Sequence, residues 1–149
     1  MLELRAHHIL DIVRNIGNNR PRTPHEYGHL VHIITEELET NPDQECKLVI
    51  KNDAICGPCK MLTGDGLCND ILPQLENSVS KQTYNDSLDA KLMQFLGLEE
   101  NTVMPIRNFL MIIDERLEEI VPLCTHPKEE PGYRKNGLRK GLDILGIGK

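Results

Sequence analysis

Thr102–Val121, TVMPIRNFLMIIDERLEEIV, is the stretch whose reading decides the fold class. Its apolar residues Val103, Ile106, Leu110, Ile113, Leu117 and Ile120 recur in alternating steps of three and four, the period of one helical face rather than the period of two that a strand needs. Pro105 falls in the first turn, where its missing N–H costs little. The spacing predicts one helix from Asn101 or Thr102 to about Val121.

The same period recurs on either side. Asn85 to Leu96 predicts a helix stopped by Gly97, and Ala6, Ile9, Leu10, Val13 and Ile16 define a short first helix ended by Gly17-Asn18-Asn19. Thr23 as N-cap and Pro24 at the first helical position open a second helix that runs to about Glu39. Its stripe is Tyr27, Leu30, Val31, Ile34 and Leu38, with His25, His29, His32 and Glu36 on another face. Pro122, Pro127 and Pro131 segment a loop holding Cys124 and His126, before a last helix from about Lys135 to Leu145. Only Cys46 to Ile50 is β-prone, too short to build a sheet alone and expected as an edge strand or part of a small hairpin. The expected architecture is mainly α (α+β), one compact helical domain over residues 1–149 with a small β element and a Cys loop organised by a metal.

Composition narrows the class. At 149 residues, with 39% hydrophobic and 27% charged, the chain is neither a disordered tail nor a membrane protein, and its longest apolar run is only Phe109 to Ile113. Aromatic residues make up 3%, so the core must be built from Leu, Ile, Val and Met. A net charge of −6 and a pI near 5.5 argue against broad nucleic-acid binding, which needs clustered Lys and Arg; the stretch from Lys128 is the one basic region. Met1-Leu2-Glu3-Leu4-Arg5 is charged at once and lacks the apolar segment of a secretory signal, so a cytoplasmic setting with no membrane partner is expected. Thiols there stay reduced, and the cysteines at 46, 56, 59, 68 and 124 point to metal binding or redox chemistry rather than disulfides.

Cys56-Gly57-Pro58-Cys59 aims two sulfurs at one ion, and the Gly64-Asp65-Gly66 turn lets the chain double back to bring Cys68 as a third. A tetrahedral zinc site or a four-iron cluster takes a fourth thiolate, for which Cys46 and Cys124 stand open, with His126 behind them. Spacing alone does not separate zinc from iron–sulfur, although the second C-x2-C pair of a zinc ribbon is missing. The string Cys56 to Met61 also resembles the thioredoxin active site, which would make Cys56 and Cys59 a thiol–disulfide exchange pair. Against that reading, Thr63-Gly64-Asp65-Gly66 would break the helix that must follow, and no later strands complete a thioredoxin sheet. Cys46 or Cys124 taken singly reads equally well as a small buried hydrophobe.

His7 and His8 are adjacent and differ by about 100° on a helix, so both flank one site only at the helix entrance. His25, His29 and His32 have the spacing of a surface chelate, but also of an ordinary solvated face.

Three segments, Leu4-Arg5-x-His7-His8-x-Leu10, Asp53-x-Ile55-Cys56-x-x-Cys59 and Gly66-x-Cys68, together resemble an uncharacterised family of small bacterial and archaeal proteins, a domain of unknown function. The likeness continues through Leu96-Gly97-Leu98, Leu123-Cys124, Gly132-Tyr133 and Gly137-Leu138. It implies an iron–sulfur cluster held by Cys56, Cys59 and Cys68, with Cys124 as the fourth ligand because Cys124 matches the family pattern and Cys46 does not. The chain departs from that pattern at Asp11, where a cysteine usually follows His-His-x-Leu, and at Ala54, where an acidic residue is usual. Of the cysteines many members carry toward the C-terminus only Cys124 remains, and Asp11 is a further ligand position, since a carboxylate can replace a thiolate at one iron.

The function expected on this basis is binding of a four-iron cluster for electron transfer, cluster carriage or redox catalysis, with His7 and His8 beside the cluster or on the substrate side as catalytic candidates. The partner would be a redox protein or a small molecule. The alternatives are a structural zinc site in an interaction module and a thiol–disulfide oxidoreductase using Cys56 and Cys59.

Overall fold

A computed structural model describes residues 2–20, 30–51, 53, 55, 71–72, 79–125 and 129–147. The elements are β1 (Leu2–Arg5), α1 (Ala6–Gly17), α2 (Val31–Thr40), β2 (Glu45–Val49), β3 (Ile71–Leu72), β4 (Val79–Ser80), α3 (Lys81–Leu96), β5 (Val103–Pro105), α4 (Ile106–Glu115), α5 (Leu117–Cys124) and α6 (Pro131–Ile144). The architecture is mainly helical, with a small three-stranded sheet of order β1-β2-β5 and a two-residue β3-β4 ladder. No helix of the described residues is long and apolar enough to cross a membrane.

The β-prone run is β2, and it is the central strand rather than an edge. It pairs parallel to β1, Leu2 opposite Cys46 and Leu4 opposite Leu48, and antiparallel to β5, Cys46 opposite Met104. The partners escape a sequence reading because each is only a few residues long and runs straight into a helix. Leu2-Glu3-Leu4-Arg5 does alternate with period two, which was the available signal.

The first helix lies where its period put it, burying Ala6, Ile9, Leu10, Val13 and Ile16. The helix expected over Thr102–Val121 is three elements. Val103 to Pro105 pair with β2 instead of coiling, Pro105 is the N-cap of α4, and a break at Arg116 separates α4 from α5. The stripe survives the break, since Ile106, Leu110, Ile113, Leu117 and Ile120 are all buried, whereas Val103 on the strand is exposed. Pro122, expected in a loop, sits inside α5. Helix α3 begins four residues before Asn85, and at its far end Gly97 adopts φ +70° while the Leu98 N–H bonds back to Met93 O at 2.9 Å, a left-handed stop. Leu30 is the N-cap of α2, not part of its stripe, while residues 21–29, with Tyr27, His25 and His29, lie outside the described residues. Helix α6 starts at Pro131 rather than Lys135, because Glu130 caps it by accepting the Gly132 and Tyr133 N–H groups at 2.9 and 2.7 Å.

α1 is the hub. Leu4, Ile9, Leu10, Ile12 and Val13 pack into one cluster with Leu48, Leu92, Phe109, Leu110, Ile113, Leu138 and Leu142. Helix α6 crosses α1 at backbone contact. A Cβ at Gly17 would overlap the Gly137 carbonyl oxygen, and one at Gly141 would overlap that of Val13. Residues 137 and 141 are one turn apart on the same face of α6, so the two glycines make the groove in which α1 lies.

Candidate functional site

The sheet delivers β1 directly into α1, and the junction is polar although it is buried. Arg5, His7, Asp53 and Asp89 are all buried polar residues there. Arg5, the N-cap of α1, gives no side-chain cap. Asp89 of α3 takes that place from another element, its Oδ1 accepting the His7 N–H at 2.9 Å while Oδ2 accepts Arg5 Nη1 at 2.8 Å. Asp53, just past β2, accepts the Arg5 N–H at 2.7 Å and the Ile55 N–H at 3.1 Å. Two carboxylates thus satisfy two of the orphan donors at the positive end of α1, where negative charge is favoured.

The same two carboxylates hold the two histidines. His7 Nδ1 lies 2.9 and 3.0 Å from the Asp89 oxygens, and His8 Nδ1 lies 2.8 Å from Asp53 Oδ2. Ionised carboxylates only accept, so in each ring Nδ1 carries the proton and Nε2 is left as the reactive nitrogen. The ring centroids are 4.5 Å apart. Burial opposes charge on His8, but Asp53 outweighs it, with help from Asp11 and Asp89, and raises the imidazole above its ordinary range. Burial likewise pushes Asp53 and Asp89 up, and His8 on the first and His7 with Arg5 on the second bring both below the usual carboxylate range.

One turn along α1, Asp11 accepts Arg134 Nη2 at 2.9 Å, and Glu129 accepts Arg134 Nε at 2.6 Å and Arg14 Nη1 at 2.8 Å. Arg134 is 5% exposed, yet its Nη1 has no hydrogen-bond partner among the described residues. Cys124, at the end of α5, shares this neighbourhood. Burial pushes its thiol up to about 11 even though Arg134 pulls the other way, and Asp11 and Glu129 act on it too. Asp11 in turn is held low, against burial, by Arg134, His7, Arg14 and His8, so one electrostatic cluster runs from the histidine pair to Cys124.

Asp11 thus lies within electrostatic reach of His7 and His8 on one side and of Cys124 on the other. Cys46 is fully buried in the hydrophobic cluster on β2, and burial alone raises its thiol to about 11. Cys56, Cys59, Cys68 and His126 lie outside the described residues, and so does the metal-organised loop expected from them. The residue before Cys56 is pinned, however: Ile55 is buried, its N–H bonds Asp53 and its carbonyl accepts the Leu30 N–H at 2.8 Å. His32 sits half-buried on α2. Arg5, Asp86, Asp89 and Glu129 were missed as site residues. Arg5 pairs with Asp86 and Asp89 across 81 and 84 positions, which no local pattern reports, although a carboxylate at 89 on the buried period of Asn85, Leu92 and Met93 was a visible anomaly.

Residues 25–127 match the family described as protein of unknown function (DUF1284). The chain belongs to that family. The span that matches includes β2, Asp53, the three clustered cysteines, Asp89 and Cys124; the His7–His8 pair and Arg134 lie beyond its ends. No curated protein and no solved structure matches this DUF1284 member.

Proposed function

We propose that the protein holds an iron–sulfur cluster, of four irons, through the thiolates of Cys56, Cys59, Cys68 and Cys124, in a reducing cytoplasmic setting. The observation that carries this reading is the convergence on α1: Asp53 fixes Ile55, the residue before Cys56, beside His8, and Cys124 shares one charge cluster with Asp11 one turn further on.

The donor set fits such a group. A cluster with four thiolates is anionic, and Arg134 offers it a buried N–H with no other partner among the described residues. Cys124 needs such a counter-charge, since burial by itself keeps its thiol protonated. Cys46 has only the apolar cluster around it, which favours Cys124 as fourth ligand. The cluster would supply one-electron redox chemistry. The chain's own residues would bind it and hold Arg134 in place through Asp11 and Glu129, with the carboxylate-backed His7 and His8 one turn away along α1.

The test is iron, acid-labile sulfide and zinc content of protein purified without air, with an absorption spectrum of the same sample. Iron and sulfide near four each, lost in Cys56→Ser, Cys59→Ser, Cys68→Ser and Cys124→Ser but kept in Cys46→Ser, are the expected result. One zinc without sulfide makes the centre structural, and no metal with disulfide-reducing activity lost in Cys59→Ser makes it a thiol oxidoreductase. Either result overturns the proposal.

A further inference from the structure

We propose that Nε2 of His7 and Nε2 of His8 bind one divalent transition-metal ion of the imidazole-preferring class, at a site separate from the thiolate centre. A histidine that ligates a metal almost always donates its other ring N–H to a carboxylate, which fixes the tautomer and strengthens the ligating nitrogen. Here two neighbouring rings are both set that way, His7 by Asp89 and His8 by Asp53, with centroids 4.5 Å apart. The two orienting carboxylates are themselves buried and anchored to backbone N–H groups, so the rings are held before any ion arrives. The His7 side chain is 8% exposed, and its Nε2 makes no hydrogen bond to the described residues. Capping of α1 does not call for the imidazoles, because Asp53 and Asp89 accept the Arg5 and His7 N–H groups without them.

Charge points the same way. Among the described residues the ion pairs around the rings bring together the carboxylates of Asp53, Asp89, Asp86, Asp11 and Glu129 with the guanidiniums of Arg5, Arg14 and Arg134, surroundings rich in carboxylate, with Asp53 and Asp89 fully buried. Buried carboxylates beside the rings favour a cation bound there. Asp11, three residues from His8 and four from His7, stands on the same side of α1 and interacts with both rings. Among the described residues no group of three His, Cys, Asp or Glu side chains is arranged to hold an ion. An ion held by these two nitrogens would complete its coordination with water or an incoming ligand. Imidazole ligands select zinc, iron, cobalt or nickel over magnesium and calcium. Uptake is a simple exchange in which the ion displaces whatever protons the two Nε2 atoms carry, with no electron transferred.

The experiment is a zinc chloride titration of the intact chain, prepared without air, followed by long-range proton–nitrogen NMR of the imidazoles, with iron and sulfide measured on the same sample. His7→Gln and His8→Gln assign the resonances and test the ligands. The expected result is saturable movement of the Nε2 signals of both rings at one added equivalent, with affinity about tenfold or more weaker in each variant and iron and sulfide unchanged. Zinc that leaves both Nε2 signals in place, or shifts only the other histidines, overturns the site without needing a folded variant. Loss of iron and sulfide in step with zinc in the two variants also overturns it, by making the rings ligands of the thiolate centre. A chain with neither iron nor sulfide sinks the cluster proposal alone, since the zinc titration is read on imidazole nitrogen.

Discussion

At the residue scale, the molecule spends its burial on Arg5, Asp89, His7, His8 and Asp53. Arg5 and Asp89 are both fully buried and paired at 2.8 Å, so neutralising one leaves the other's charge in the interior. Asp89→Asn is expected to lower stability by about 3–5 kcal/mol in urea denaturation, whereas exposed Arg107, paired with Asp43, changes it little when replaced by Gln. The His8–Asp53 pair makes stability depend on pH at both ends. His8 is raised above its ordinary 6.5, so its contribution is complete below that pH and is lost as pH rises through the folded value. Asp53 lies below its ordinary 3.8, so its contribution is present above that pH and lost as pH falls through the folded value. Metal-free protein should therefore be most stable between these limits, and His8→Gln should flatten the alkaline limb of a stability–pH curve. Cys46 behaves as a core residue. Cys46→Ser should cost about 1–3 kcal/mol by burying a hydroxyl among apolar neighbours, with metal content unchanged.

At the element scale, the α1–α6 crossing decides which substitutions are tolerated. Alanine is the better helix former by about 1 kcal/mol, so propensity alone would make Gly141→Ala stabilising. The Val13 carbonyl oxygen occupies the space the new methyl needs, and backbone cannot rotate away as a side chain can. Gly141→Ala is expected to destabilise by about 1–3 kcal/mol net, and a melting temperature equal to or above the parent's would refute this packing. The histidine and Arg134 positions should suffer with it, because α6 carries Arg134 and α1 carries Asp11, its partner. Elements also explain what the sequence reading merged. The apolar stripe of α4 and α5 is continuous, but Val103 to Pro105 gain a ladder with β2 that the isolated stretch could not offer, and at the break Arg116 lies 4.4 Å over the Phe95 ring.

For the whole molecule, the polar end of α1 is where β1, the segment after β2, α3, α5 and α6 meet. If that end holds metal, removing it withdraws a ligand that binds only the folded chain. Chelator is expected to lower the melting temperature of air-free protein, and Cys124→Ser should abolish most of the difference between loaded and stripped samples. The sequence by itself determined the helical class, the first helix, the stripe of Ile106 to Ile120, the glycine stop at 97 and the clustering of Cys56, Cys59 and Cys68, because periodicity, turn chemistry and spacing are local. It could not show that Leu2–Arg5 and Val103–Pro105 are strands, since a short strand is defined by its partners. Nor could it pair Arg5 with Asp89, fasten His8 to Asp53, or bring Cys124 to Asp11 while leaving Cys46 in the core. Those assignments belong to tertiary structure alone, because a buried charge is stable only where the fold delivers its counter-charge, and that partner lies far away along the chain.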